Sequence, residues 1–148
     1  MNSIIIKKLG PTAQDSRGST WEWCRGIDGK QVTVYERIKG YDLSENHYHK
    51  GNDPSKNPER FLLLNGRAKL TARTVYGANF TVELTPLTDV IIYPDVLHSI
   101  EPLTKKVLFA EYRCTEFNSD RSDCYSPESF EEYKKEVLER ERKFRIAR

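Results

Sequence analysis

Short stretches in which apolar and polar residues alternate run through the first 125 residues, and each stretch ends at a turn signal. Lys69–Val75 is the clearest stretch, because Leu70, Ala72 and Thr74 share one face and the polar Lys69, Thr71 and Arg73 share the other. Asp28-Gly29 and Asn65-Gly66 are typical of tight turns between strands. About ten such stretches recur at intervals of roughly 8–12 residues, which is typical of a β-sandwich or β-barrel. We therefore expect an all-β fold.

The pattern changes after Tyr125. Ser126 and Pro127 are typical of an N-cap followed by the first helical residue. Apolar residues then recur at helical spacing, at Phe130, Tyr133, Val137, Leu138 and Phe144. The sequence predicts one C-terminal helix over residues 127–146, packed either on the outside of the barrel or on a second subunit. The 148 residues are expected to form a single domain, 1–148, with the barrel over about 1–125.

Composition limits the class of protein and its partners. The formal net charge of +2 is too small to indicate nucleic-acid binding. Three cysteines without CxxC spacing argue against a disulfide framework and a zinc ribbon, so we expect reduced thiols and a cytoplasmic location. The apolar run Ile4–Ile6 is too short for a signal sequence or a membrane span, so no membrane partner is expected.

The three histidines of the chain fall in two segments, 46–50 and 93–98. His47 and His49 are two residues apart, so in an extended strand both side chains point to the same face. Glu59 follows on the next predicted strand, and His98 comes from a strand late in the chain. Imidazoles with one carboxylate suit zinc, iron, manganese, nickel or copper. We predict that these four residues bind one divalent transition metal, with coordination positions left for water or substrate, and no organic cofactor is indicated.

This joint pattern resembles the cupin superfamily. His47, His49, Glu59 and Gly66 are similar to the first cupin motif, HxH followed by Glu and then Gly. Pro94 and His98 are similar to the second motif. The resemblance implies a double-stranded β-helix, or jelly-roll, barrel that holds the four metal ligands inside it.

The chain departs from the cupin motifs at several positions. Nine residues separate His49 from Glu59, where the family has three or four. Asp95 stands where the family usually has Gly, but Asp tolerates a left-handed backbone better than most residues. Thr88 replaces the first Gly of the second motif. We expect the additional residues to be absorbed in the loop that follows His49.

A narrower resemblance covers most of the chain. Several segments are similar to the cupin domain of capsular-polysaccharide nucleotide-sugar enzymes: Asn46–His49, Glu59–Leu62, His98–Glu101, Glu116–Phe117 and Asp123–Tyr125. Asp15–Gly18 is similar to the D-x-R-G segment of sugar-nucleotide epimerases and ketoisomerases. Ser44-Glu45 replace the Arg-Gly that often precedes the Asn-His-Tyr-His of that group. The resemblance implies an epimerase or ketoisomerase that acts on a nucleotide-linked keto-sugar in polysaccharide biosynthesis.

Such a reaction removes a proton next to a carbonyl group. A metal ion can polarise the carbonyl oxygen while a positioned base moves the proton. If all three histidines bind the metal, the base must be another residue. Tyr93, Glu111 and Lys69 are the candidate catalytic residues, because they lie on predicted strands and could face inward. Tyr112 and Arg73 are candidates for substrate binding, Arg73 through a phosphate.

Other functions also fit the pattern. One is a different metal-dependent cupin enzyme, such as a dioxygenase with an open iron site. Another is a sugar-binding or anion-binding module without catalysis, or a dimerisation scaffold, because fold does not fix function. A homodimer is expected in each case, since the amphipathic helix and the barrel edges leave surface to cover.

Overall fold

The computed structural model describes residues 3–40, 46–116, 118 and 123–146. Residues 41–45, which include Ser44-Glu45, lie outside the described residues, as does Phe117. The prediction of an all-β domain with one C-terminal helix is confirmed within these ranges.

Ten strands and one α-helix lie in the described ranges. The strands are β1 (Ile4–Lys8), β2 (Ala13–Asp15), β3 (Gly18–Thr20), β4 (Gln31–Ile38), β5 (Glu59–Asn65), β6 (Ala68–Thr74), β7 (Asn79–Leu84), β8 (Thr88–Ile92), β9 (Val96–Pro102) and β10 (Lys106–Arg113), and the helix is α1 (Phe130–Ile146).

The strands form two larger sheets and one small hairpin. The five-stranded sheet has the order β1-β8-β5-β10-β4, and the three-stranded sheet has the order β7-β6-β9. Strands β2 and β3 pair with each other, and all the pairings between strands are antiparallel. Apolar side chains from both sheets meet in one buried core, made of Phe61, Leu63, Ala68, Leu70, Ala72, Leu84, Val90, Ile92, Val96, Val107 and Phe109. The two sheets therefore pack face to face.

The residues between β3 and β4 form a long connection. Asp28-Gly29 lies inside this connection, so the prediction that it joins two adjacent strands is wrong. Trp23 accounts for the difference, because its Nε1 donates to Asp89 Oδ1 at 2.8 Å. Arg60 Nη2 donates to the same carboxylate at 2.6 Å. The bond from Trp23 holds the connection against the outer face of the five-stranded sheet, and Arg60 fixes the carboxylate that accepts it.

Asp95 precedes β9 in a left-handed conformation, with φ of 70°. This confirms the expectation that Asp takes the place of the motif's Gly. The backbone N–H of Asp95 donates to the carbonyl oxygen of His49 at 2.9 Å, and its carbonyl accepts from Val75 N–H at 3.2 Å. The turn that leads into His98 is thereby tied to the segment that carries the other two histidines.

The first half of helix α1 packs on the outer face of the three-stranded sheet, whereas Leu138, Phe144 and Ile146 are exposed. Residues 127–129 form a short 3₁₀ turn, so the α-helix begins three residues later than predicted. Phe130, Tyr133 and Val137 are buried against a second apolar cluster that includes Tyr48. Within the described residues, no helix has the length and apolar character needed to cross a membrane.

Candidate functional site

The structure brings together the four residues predicted to bind metal. His47, His49, Glu59 and His98 each place one possible ligand atom in a group whose members all lie within 4.8 Å of one another. The ring centroids of His47 and His98 are 4.4 Å apart, and those of His47 and His49 are 4.9 Å apart. Their convergence follows the predicted geometry, and their role as ligands remains a prediction.

The HxH segment reaches this position without forming a regular strand. Its backbone makes isolated bridges between His47 and His98 and between Tyr48 and Tyr125. The alternation of side chains still holds, because Tyr48 is fully buried on the side away from the histidines. The bridge to His98 joins the HxH segment to the edge of the three-stranded sheet at β9.

Backbone carbonyls fix the orientation of two of the imidazole rings. His49 Nδ1 lies against the carbonyl oxygen of Asp123, and His98 Nδ1 lies 3.0 Å from the carbonyl oxygen of Val96. When Nδ1–H donates to a carbonyl in a neutral ring, Nε2 carries the lone pair and is free to bind a metal. The Nε2 atoms of His98 and His49 lie 3.1 and 3.4 Å from Glu59 Oε2.

This arrangement fits a bound cation. His49 is 2% exposed, and its Nε2 has no hydrogen-bond partner of acceptable geometry among the described residues. A buried lone pair that faces a carboxylate oxygen is unfavourable unless a proton or a cation lies between them. Three imidazole nitrogens and one carboxylate oxygen are also a common donor set for transition metals.

Glu59 is charged in this environment. Burial raises the pKa of its carboxyl group, but the imidazoles of His49 and His98 and the ammonium group of Lys56 outweigh that effect. The net result is a pKa well below the ordinary value. The carboxylate is therefore available as a ligand at neutral pH.

Asp123 holds the loop that follows His49. Its carboxylate accepts hydrogen bonds from four consecutive backbone N–H groups, those of residues 50–53, at 3.0, 2.9, 2.7 and 3.1 Å. Its own carbonyl oxygen contacts His49 Nδ1. Asp123 is 2% exposed, so these bonds are shielded from water. In the sequence Asp123 contributes only to the family resemblance, and no local pattern indicates its anchoring role.

A cavity of about 890 Å³ opens beside the four-residue cluster. Its volume lies within the range of small-molecule binding sites. Charged and polar side chains line much of it, together with a few apolar ones. The lining residues include Gln31, Thr33, Tyr35, Arg37, Asn46, His47, Lys56, Glu59, Phe61, His98, Ile100, Phe109, Glu111, Arg113, Cys124, Tyr125 and Ser126.

Glu111 is the predicted catalytic candidate that lines this cavity. It lies on the inward face of β10, where it is 3% exposed. Its Oε2 accepts from Arg113 Nη2 at 2.6 Å, while its Oε1 has no hydrogen-bond partner among the described residues. Burial, and then the negative charge of Glu59, raise the pKa of Glu111.

Lys69 and Arg73 lie on the outer face of β6, so the expectation that Lys69 faces inward is wrong. Lys69 forms an ion pair with Glu101. Arg73 pairs with Glu131 at 2.8 Å and lines a separate hollow of about 450 Å³ on the outer face of the three-stranded sheet. The alternation of β6 explains both positions, because Ala68, Leu70 and Ala72 occupy its inner face.

Tyr93 and Tyr112 also lie away from the cavity lining. Tyr93 follows the last residue of β8 and is 37% exposed. Tyr112 faces outward on β10, where its hydroxyl donates to the carbonyl oxygen of Ile27 at 2.8 Å. The structure therefore places Glu111 beside the cluster, and does not place Tyr93, Lys69, Arg73 or Tyr112 there.

Strand β4 supplies cavity residues that the sequence analysis missed. Tyr35 and Arg37 face the cavity, while Val32 and Val34 are 60% and 57% exposed on the opposite face. The usual rule that apolar residues face the interior would select the wrong face of this strand. The available signal was the set of polar-tipped residues at every second position of β4. Burial, and then the charge of Glu111, raise the pKa of Tyr35, so its phenol stays protonated.

Replacing Asp123 by Asn tests its anchoring role. Asp123→Asn removes the charge and places an amide donor against backbone donors. We expect the free energy of unfolding to fall by about 2–4 kcal/mol, given the strength of hydrogen bonds to charged groups and the cost of buried unsatisfied donors. Chemical denaturation measures the change. Asp28→Asn, at an exposed position, is the control and should change it by less than about 0.5 kcal/mol. Equal stability of the two variants would contradict the role.

No known sequence family and no curated protein matches the chain at a significant level. Solved structures do match. The sugar 3,4-ketoisomerase QdtA from Thermoanaerobacterium thermosaccharolyticum, in complex with TDP, is 18% identical, with a TM-score of 0.69 over 91% of this chain and 96% of its own. A 3,4-ketoisomerase from Helicobacter canadensis is 14% identical, with a TM-score of 0.68 over 89% of this chain and 97% of its own.

The capsular polysaccharide assembling protein CapF from Staphylococcus aureus is also similar. It is 24% identical, with a TM-score of 0.55, and the match covers 81% of this chain and 32% of CapF. At sequence identities below 25%, structural similarity is evidence for a shared fold only. The chain has the cupin fold, the fold it shares with these sugar ketoisomerases, which confirms the fold class that the two motifs predicted.

Proposed function

We propose that the protein is a metal-dependent isomerase, an epimerase or ketoisomerase that acts on a nucleotide-linked keto-sugar in cytoplasmic polysaccharide biosynthesis. One observation carries the proposal. The buried cluster of His47, His49, Glu59 and His98 opens into a cavity large enough for a sugar, in a fold shared with sugar ketoisomerases.

The four clustered residues would hold one divalent transition metal, with zinc, iron, manganese and nickel as candidates. When bound, the ion would act as a Lewis acid toward the carbonyl oxygen of the substrate. His49 and His98 keep their Nε2 atoms directed at the site through their Nδ1 contacts with backbone carbonyls. Because the protein supplies at most four ligands, the ion would keep coordination positions open for water or substrate.

Glu111 is the base in this proposal, because it is the one of the three predicted candidates that lines the cavity. Its Oε1 would take the proton from the carbon beside the keto group and return it to the neighbouring carbon in a ketoisomerase. In that case the original C–H bond breaks and a new one forms at the former carbonyl carbon, while the proton of the neighbouring hydroxyl passes to the former carbonyl oxygen, so that the hydroxyl and carbonyl exchange places. The protonated phenol of Tyr35 can donate to the oxygen on which negative charge develops.

The cavity also suits a negatively charged substrate. Arg37 lies in its wall beside Tyr35 and is the cation offered to a phosphate, because Lys56 and Arg113 are already paired with Glu59 and Glu111. Guanidinium and ammonium groups favour phosphate oxygens. The His-to-Asn variant of QdtA was solved in complex with TDP-4-keto-6-deoxyglucose, and we propose a substrate of this class for the present chain.

The metal is tested by elemental analysis of the purified protein beside the double variant His47→Ala/His49→Ala. We expect about one equivalent of a transition metal in the wild type and its loss in the variant, since two of the four ligands are removed. Circular dichroism provides the control that the variant remains folded. If neither protein contains metal, even after reconstitution with zinc or iron, the metal-dependent form of the proposal fails.

The reaction is tested by incubation with TDP-4-keto-6-deoxyglucose in D₂O. We expect deuterium at the carbon beside the keto group, detected by proton NMR. Glu111→Gln should lower the exchange rate by about 10²–10⁴-fold, whereas Glu101→Gln, at an exposed position, should leave it unchanged. The pKa of Glu111 is raised above the ordinary glutamate value of 4.5. As the pH is lowered, the exchange rate should therefore begin to fall while the pH is still above 4.5. This decline should be absent from the residual activity of Glu111→Gln.

A second candidate function is the same isomerisation carried out without a metal ion. His47 lines the cavity and is the least buried of the three histidines, so without an ion its imidazole could act as the general base. Full activity after treatment with a chelator and removal of metal would favour this version. Oxygen consumption by the iron form would instead favour a dioxygenase, and ligand binding without exchange would favour a sugar-binding module or scaffold.

We also propose a homodimer that forms through the outer side of β4. This strand is at the edge of the five-stranded sheet, and Val32 and Val34 expose more than half of their surface there. Exposed strand edges with apolar side chains favour association. Light scattering should give twice the chain mass of 17.2 kDa for the wild type. Val34→Lys should give a monomer, and Leu138→Lys, on the exposed side of α1, should remain dimeric.

A further inference from the structure

The two carboxylate oxygens of Glu59 have different partners. Oε2 faces the histidines, 3.1 Å from His98 Nε2 and 3.4 Å from His49 Nε2. Oε1 accepts from the ammonium group of Lys56 at 3.0 Å. Glu59 is only 7% exposed, so water does not compete freely for either oxygen. One oxygen is therefore directed at the cluster and the other is committed to a lysine.

Lys56 belongs to the additional residues that separate this chain from the cupin motif. It ends the short 3₁₀ turn Pro54–Lys56, which begins where the carboxylate of Asp53 accepts from Ser55 N–H at 2.8 Å. Arg113 Nη1 donates to Ser55 Oγ at 3.2 Å, and the carboxylate of Asp123 holds the preceding residues. The loop is thus fixed on both sides, and the Lys56 side chain, 18% exposed, reaches into the cavity.

The number of oxygens that Glu59 uses affects what else an ion can bind. A carboxylate ligates a metal through one oxygen or through both. An ammonium group donates hydrogen bonds and cannot itself be a ligand. With Lys56 on Oε1, Glu59 contributes Oε2 only, so three imidazoles and one oxygen make four protein ligands. A second oxygen would occupy a position that would otherwise be open to the cavity.

We propose that Lys56 is a positioning residue that restricts Glu59 to ligation through one oxygen and so keeps the cavity side of the metal open to substrate. The inference rests on the metal centre proposed above. It also gives a function to the nine residues between His49 and Glu59, which place this lysine beside the ligand. Outer-shell partners of this kind orient ligands at metal sites.

Cobalt(II) spectra test the inference, because the intensity of the visible bands falls as the coordination number of cobalt rises. Wild type, Lys56→Met and Lys56→Arg are titrated with cobalt(II), beside the control Lys69→Met, which removes an ion-paired lysine outside the cavity. We expect each protein to bind about one equivalent. Absorbance per cobalt should fall in Lys56→Met, where Oε1 is released, and should be retained in Lys56→Arg and in Lys69→Met.

The other outcomes are distinct. Identical spectra for all four proteins would overturn the inference, and so would cobalt binding that is lost in Lys56→Met, because the lysine would then be needed to bind the ion at all. Lys56→Ala repeats the measurement if the Met variant does not fold. If the wild type itself binds no cobalt, the proposed metal centre fails, a result that cannot be confused with a difference between variants.

Discussion

The candidate site depends on one buried carboxylate that is not itself part of the four-residue cluster. Asp123 accepts four backbone hydrogen bonds from residues 50–53 and presents its carbonyl oxygen to the ring of His49. A loop without secondary structure must find partners for its N–H groups, and unsatisfied buried donors are costly. The carboxylate of Asp123 alone provides the acceptors for these four N–H groups. The orientation of His49 and the course of the loop toward Lys56 both follow from it.

A single alternation divides the HxH segment between two environments. His47 and His49 point into the cavity. The ring of Tyr48 stacks against the rings of Tyr125 and Tyr133, and its centroid lies 5.3 and 5.0 Å from theirs. A shift of one residue would exchange the two sides, placing a tyrosine in the cavity and imidazoles among apolar rings. The aromatic contacts of helix α1 therefore specify which side chains face the cluster.

Apart from the convergence of Glu59 and His98 on the HxH pair, which the motif pattern indicated, the features that were predicted correctly are local in sequence. The convergence of His47 and His49 follows from strand alternation, and the left-handed conformation of Asp95 follows from the chemistry of one residue. The contacts of Asp123 with residues 50–53 span 70 to 73 positions, so no local pattern indicates them. Lys69 and Tyr112 were misplaced because alternation separates two faces without identifying the inner one. In β4 the apolar face is the outer one, which reverses the usual assignment.

The four-residue cluster also lies between the two packed sheets. Glu59 begins β5 in the five-stranded sheet, and His98 lies on β9 in the three-stranded sheet. An ion held between them would act as a cross-link between layers that otherwise meet through apolar packing. Because the unfolded chain has no such site, binding would add RT ln(1 + [M]/Kd) to the stability, about 2.7 kcal/mol at one hundred times Kd. The same four side chains would then set both the chemistry of the cavity and the resistance of the two sheets to separation.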